Sequence, residues 1–119
     1  MLFTIDKEPI KYIPHKQQYD IWRNNLSQEE FEAIVQALNE RINTDEVHTA
    51  GWIPGSEWEG TVFYPIYEKA CLGDVDAAGK CFGLIMWEIM MNRPEAWAFG
   101  RYEKDGIPIQ SLTYFKIVV

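Results

Sequence analysis

The chain has 119 residues, 47% of them hydrophobic and 24% charged, and a formal net charge of -7. That length suits one domain that buries about two-thirds of its unfolded surface, so neither metal nor disulfide staples are required, and the composition is not that of a disordered chain. The negative charge, with no run of Lys or Arg, excludes general binding to phosphate backbones and suits a basic partner better than an acidic one.

Residues 2–5 and 10–13 are short runs of β-branched and aromatic residues on either side of an Asp-Lys-Glu-Pro turn signal, which predicts a strand-turn-strand start. The first residues meet an acid at Asp6 and lack the basic start and long apolar core of a signal peptide, so a cytoplasmic location is the expectation. Pro14 suits a helix start, and Tyr19, Trp22 and Leu26 recur at helical spacing, predicting a short helix over 15–24 with one apolar stripe.

Ser27 and Glu30 have the spacing of a capping box, with Leu26 and Phe31 placed for a hydrophobic staple. The helix they open is amphipathic. Phe31, Ile34, Val35, Leu38 and Ile42 fall on one side, and Glu32, Gln36, Asn39 and Glu40 on the other.

Over 43–60 the periodicity disappears, with Gly51, Pro54-Gly55 and Gly60 as punctuation and His48, Trp52 and Trp58 inside. Structureless connections longer than about 12 to 15 residues are uncommon in compact domains and are often functional, so this stretch is the first place to look for a site. Residues 61–72 read as a helix, with Pro65 in its first turn, Ile66, Tyr67 and Ala70 inward, and Gly73 just past its end.

The chain is organised around residues 81–91, where nine of eleven residues are apolar and only Glu88 is charged. No face of such a helix can be left in water, so it is a buried central helix over about 75–92, with Asp74 as N-cap and Pro94 forcing its end. The apolar run covers about 17 Å, well short of the roughly 30 Å hydrocarbon core of a bilayer, and no membrane span is expected. Gly79 and Gly83, four apart, predict the close approach of another backbone, and Met86, Met90 and Met91 read as core filling. Cys71 and Cys81 have neither a zinc spacing nor a disulfide framework and read as free buried thiols.

After Pro94 the period changes to two. Trp97, Phe99, Arg101 and Glu103 alternate with their neighbours, Lys104-Asp105-Gly106 is a turn signal, and residues 112–119 are a strand by composition. Pro108 lacks the amide a central ladder needs, which makes the second strand irregular or edge-like where it begins. The predicted fold is α+β: one small domain over 1–119, with a buried central helix, amphipathic helices, terminal strands and a C-terminal β-hairpin forming a small antiparallel sheet.

The candidate chemistry is sparse. His48 stands among Asp45, Glu46, Glu57 and Glu59, any of which could orient an imidazole for proton transfer, but no nucleophile or second base accompanies it at a recognisable spacing. With His15 in another element, no metal site or cofactor is expected. Trp52 and Trp58 could anchor a partner or stack on a ligand, against the alternative that both fold back onto the core. Glu88 is expected at the exposed edge of its helix and is a candidate only if buried, with Arg101 and Tyr102 of the hairpin as its possible partners in that case.

The reading favoured by the sequence is a non-catalytic module that binds a protein or small ligand, basic by preference, through Trp52, Trp58, Arg101 and Tyr102. The first alternative is a small hydrolase or transferase with His48 as general base and Glu46, Glu57 or Glu88 as its partner. The second is a homodimer with the loop aromatics or an edge strand at the subunit interface.

Overall fold

A computed structural model describes residues 1–43, 47–49, 60–100, 103–104, 107–108 and 113–118, with 47–49, 103–104 and 107–108 described by their backbone alone. In chain order the elements are β1 (Leu2–Phe3), β2 (Pro9–Ile10), α1 (Lys16–Asn24), α2 (Gln28–Ile42), β3 (Val47–Thr49), a π-helix (Ile66–Ala70), α3 (Val75–Asn92), β4 (Trp97–Gly100), β5 (Glu103–Lys104), β6 (Ile107–Pro108) and β7 (Thr113–Lys116). The class is α+β, as the sequence predicts.

Helix α3 has the predicted limits because both of its ends are written in the sequence. Asp74 is extended, and its side chain accepts from the amides of Asp76 and Ala77 at 3.0 and 3.1 Å, while the chain leaves the helix at Arg93, one residue before Pro94. Ala78, Cys81, Phe82, Ile85, Met86, Trp87, Ile89 and Met90 are buried, and α3 touches α1, α2, the π-helix and β1. It is therefore the element on which the others pack. Among the described residues no helix is long and apolar enough to cross a membrane.

One detail of α3 overturns the sequence reading. Gly79 is exposed and Gly83 half-buried, and a Cβ added to either would meet no described atom within 4 Å, so these glycines do not mark a close backbone approach. What remains is their poor helix propensity. Gly79→Ala is expected to raise stability by about 1 kcal/mol, read as a higher melting temperature, and an unchanged or lower midpoint would contradict the open surroundings.

Helix α2 starts with the predicted capping box: the Ser27 hydroxyl accepts from the Glu30 amide at 3.1 Å and the Glu30 carboxylate accepts from the Ser27 amide at 2.9 Å. Glu30 also pairs with Lys69 of the π-helix at 2.7 Å, so the cap joins two elements. Ser27→Ala is expected to cost about 1 kcal/mol, measured by urea unfolding with an unchanged m-value. Ile34, Leu38 and Ile42 are buried, whereas Phe31 and Val35, on the flank of the same face, are only partly covered.

The segment before α3 is helical but wound differently from the expected α-helix. The Cys71 amide donates to the carbonyl of Ile66 at 3.0 Å, a five-residue step, and the Gly73 amide reaches back to Tyr67 at 2.8 Å. Leu72 and Gly73 then both take left-handed backbone angles, which gives the sharp junction with α3. Cys71 follows directly on the π-helix, and both it and Cys81 are free and buried.

The five-stranded sheet runs β2-β1-β4-β7-β3, and β5 pairs with β6 beyond it. β4 and β7 form the predicted C-terminal hairpin, with Phe99 opposite Tyr114. The sheet is mixed and not wholly antiparallel, because β1 lies parallel to β4, with Leu2 beside Trp97. The Met1 amine donates to the carbonyls of Arg93 and Glu95, and the Trp97 amide to the carbonyl of Met1, which fixes this register. Strand β3 stands inside the stretch expected to be wholly irregular. Three residues are too few to show a period, and its Val and Thr are the β-branched types that suit a strand.

Candidate binding groove

A groove of about 420 Å³ lies between α2 and the C-terminal half of α3. One wall is the line Phe31, Val35, Asn39 and Asn43, spaced four apart and so stacked along a single edge of α2. The other is Glu88, Ile89, Asn92, Arg93 and Pro94, and Arg23 of α1 closes the end near Phe31. The groove exists because α2 turns Ile34 and Leu38 to α3 and leaves the adjoining line of side chains half-covered.

At the Arg23 end, Glu88 is held from α1. Tyr19, 1% exposed, donates its hydroxyl to Glu88 Oε2, and Arg23 Nη1 donates to Oε1 at 3.3 Å. Tyr19 and Arg23 are four apart on α1, so both tips reach the same carboxylate. This corrects the expectation of an open helix edge: Glu88 has 20% of its side chain exposed and its described partners come from α1, while Arg101 and Tyr102 lie outside the described residues. Burial, and then the bond to Glu88, push the Tyr19 phenol above its ordinary value of 10, so it remains a donor at neutral pH. The Arg23 guanidinium lies 4.1 Å from the centre of the Phe31 ring, which holds its plane against the groove wall.

At the other end Arg93 is a structural tie. Its Nε and Nη2 donate to Glu95 at 2.8 and 3.3 Å, Nη1 donates to Asn39 Oδ1 at 2.6 Å, and Nη2 also donates to Asn43 Oδ1. Glu95 accepts from the Trp97 indole as well, at 2.8 Å. The Arg93 hydrogen bond, then that from Trp97, holds the Glu95 carboxyl down at about 2. The end of α2, the end of α3 and the start of β4 are thus fastened to one guanidinium.

Among the described residues the groove lining holds two guanidiniums, three amides, one carboxylate and apolar side chains, and no hydroxyl, thiol or imidazole. Nor do three His, Cys, Asp or Glu side chains gather as metal ligands among them. The two cysteines are away from the groove, and burial pushes the Cys71 thiol up to about 11 and raises Cys81 as well, which disfavours the reactive thiolate.

Of the residues singled out by sequence, His48 is placed by its backbone alone, on β3 opposite Tyr114 of β7. Its side chain lies outside the described residues, as do Glu46, Glu57, Trp52, Trp58, Arg101 and Tyr102. Arg23, Phe31, Val35, Asn39, Asn43 and Arg93 were not marked as a site by the sequence. Their signal was a line at four-residue spacing that passes from apolar to amide along α2. No protein family matches the chain, and no curated protein or solved structure matches it.

Proposed function

We propose that this chain is a non-catalytic binding module whose ligand enters the groove between α2 and α3 and contacts the adjoining 43–60 stretch. The observation that supports the reading is Asn43, which lines the groove and is also the residue at which the aromatic stretch begins, so the groove wall runs on in the chain into the second separately motivated segment. A concave, mainly apolar wall with a few fixed polar groups is the usual form of a small-ligand site, and volumes of about 300 to 1,000 Å³ are typical.

The test is a screen of small amphiphiles of each charge type against methyl-labelled protein, followed at the methyl signals of Val35 and Ile89. Binding should shift both, and Val35→Trp, which fills the groove from a half-covered position, should abolish the shifts with the fold intact. Trp52→Ala and Trp58→Ala should weaken binding while leaving the thermal midpoint nearly unchanged. A collapse of stability in both would assign the rings to the core, since truncating a buried aromatic costs about 3 to 5 kcal/mol. A screen in which no compound moves the groove signals would remove the groove from the proposal.

A further inference from the structure

We infer that the groove takes a small amphipathic carboxylate, its carboxylate on Arg23 and its apolar body along Val35 and Ile89; this rests on the groove being the binding site proposed above. Asn39 and Asn43 both give their carbonyl oxygen to Arg93, which fixes the orientation of each amide and leaves their NH₂ groups without a described acceptor. Arg23 has one of its five N–H groups on Glu88, at the long distance of 3.3 Å, and its Nε and Nη2 have no partner among the described residues. Glu88, by contrast, has both oxygens engaged, by Tyr19 and by Arg23. The Arg23 end of the groove therefore has donors to offer and both oxygens of its one carboxylate engaged, while the acceptors of Asn92 and of the helix-end carbonyls lie at the other end, which places an acceptor-rich group at Arg23.

The position of Arg23 narrows this to a carboxylate. Nε and Nη2 are the edge of a guanidinium that meets two carboxylate oxygens in parallel, and the Phe31 ring already holds the plane in place. With 40% of its side chain exposed, Arg23 is open to a ligand, whereas Arg93 is 12% exposed and answered by Glu95, Asn39 and Asn43. Helix ends give the same polarity. The last carbonyls of α2 and α3 put partial negative charge at the Asn43 and Pro94 end, so the anion belongs at the Arg23 end, one turn into α2. The net charge of -7 does not oppose this strongly, because charges more than about 8 Å away are largely screened at physiological ionic strength.

Three probes with one tail test it: octanoate, octanamide and octylammonium, titrated separately into the full chain labelled at its methyls and at nitrogen. Octanoate should bind saturably and shift Arg23 Nε–H with the Val35 and Ile89 methyls; loss of the charge-assisted pair should make octanamide about tenfold weaker or worse, and octylammonium weaker still. Arg23→Gln should lower octanoate affinity by about tenfold, and Arg23→Lys should restore only part of it, since an ammonium lacks the fork. Glu88→Gln keeps an acceptor for Tyr19 and removes the competing anion, so it should tighten octanoate binding, a gain that a folding defect cannot produce. Equal or tighter binding of the amide or the ammonium in the groove, or weaker octanoate binding by Glu88→Gln, overturns the carboxylate and leaves a binding groove. Silence of Val35 and Ile89 toward all three probes overturns the carboxylate and the groove together.

Discussion

Trp97→Ala is expected to lower stability by about 3 to 5 kcal/mol, enough to leave little of the roughly 5 to 15 kcal/mol that holds a domain of this kind. Trp97 is 1% exposed on β4, and β4 is bonded on one side to β1 and on the other to β7. Its ring therefore stands where the middle of the sheet meets the helical core, and Lys116 lies over its face at 5.9 Å. Removing it opens a cavity that the surrounding strands cannot fill without losing register. Urea unfolding should show a large fall in midpoint with an unchanged m-value. Trp97→Phe separates the contributions: it keeps an aromatic ring and loses the indole bond to Glu95, and it should cost about 1 kcal/mol beyond the change in volume. A fall of less than 1 kcal/mol in the Ala variant would place the ring outside the core.

What the sequence could not express about this sheet is its long-range pairing. The limits of α2 and α3 were legible because each is set within a few residues, by Ser27 with Glu30 and by Asp74 with Pro94. The parallel β1–β4 ladder joins Leu2 to Trp97 through a two-residue strand, and no local period signals a partner so distant. The sequence shows a helix before α3 but not its π winding, because a five-residue step differs from four by too little to show in a single inward face.

The groove was hidden for a different reason. Phe31 and Val35 fit the apolar face of α2 and were assigned to the core, while Asn39 fits the polar face; only the neighbouring helices decide that all three line one depression. Glu88 is exceptional in the sequence as the one charge in an apolar run, but nothing beside it in the chain names a partner. Tyr19 and Arg23 carried the needed signal, a phenol and a guanidinium four apart on one helix, which is what a half-buried carboxylate requires. Gly83 suggests close packing because it is a glycine in an apolar helix, whereas no described atom lies within 4 Å of where its Cβ would stand.

Arg93→Met is expected to cost about 3 kcal/mol and to change how stability depends on pH. Methionine replaces the apolar stem, so the loss is that of the hydrogen bonds: Glu95 and Asn39 are left facing a thioether from half-buried positions, and the exposed Asn43 turns to solvent. Glu95 carries the pH signature. Its ordinary value is 4.5 and the folded value is about 2, so the native state holds the ionised form more tightly than the unfolded state does. A depressed carboxyl contributes stability that is fully present above about 4.5 and is lost as pH falls from there toward 2. The melting temperature of the unaltered protein should therefore drop steeply over that window. In Arg93→Met the main cause of the depression is gone, and the drop should be shallower from a lower starting point. Glu95→Gln should flatten it in the same way, and adding it to Arg93→Met should flatten it little further, because the two side chains form one interaction. Some slope will remain in every variant, since Lys69 and the Ser27 amide also hold Glu30 below its ordinary value. Parallel acid profiles for the unaltered protein and Arg93→Met would show that the guanidinium does not govern Glu95 and that the ends of α2 and α3 are joined by something other than this pair.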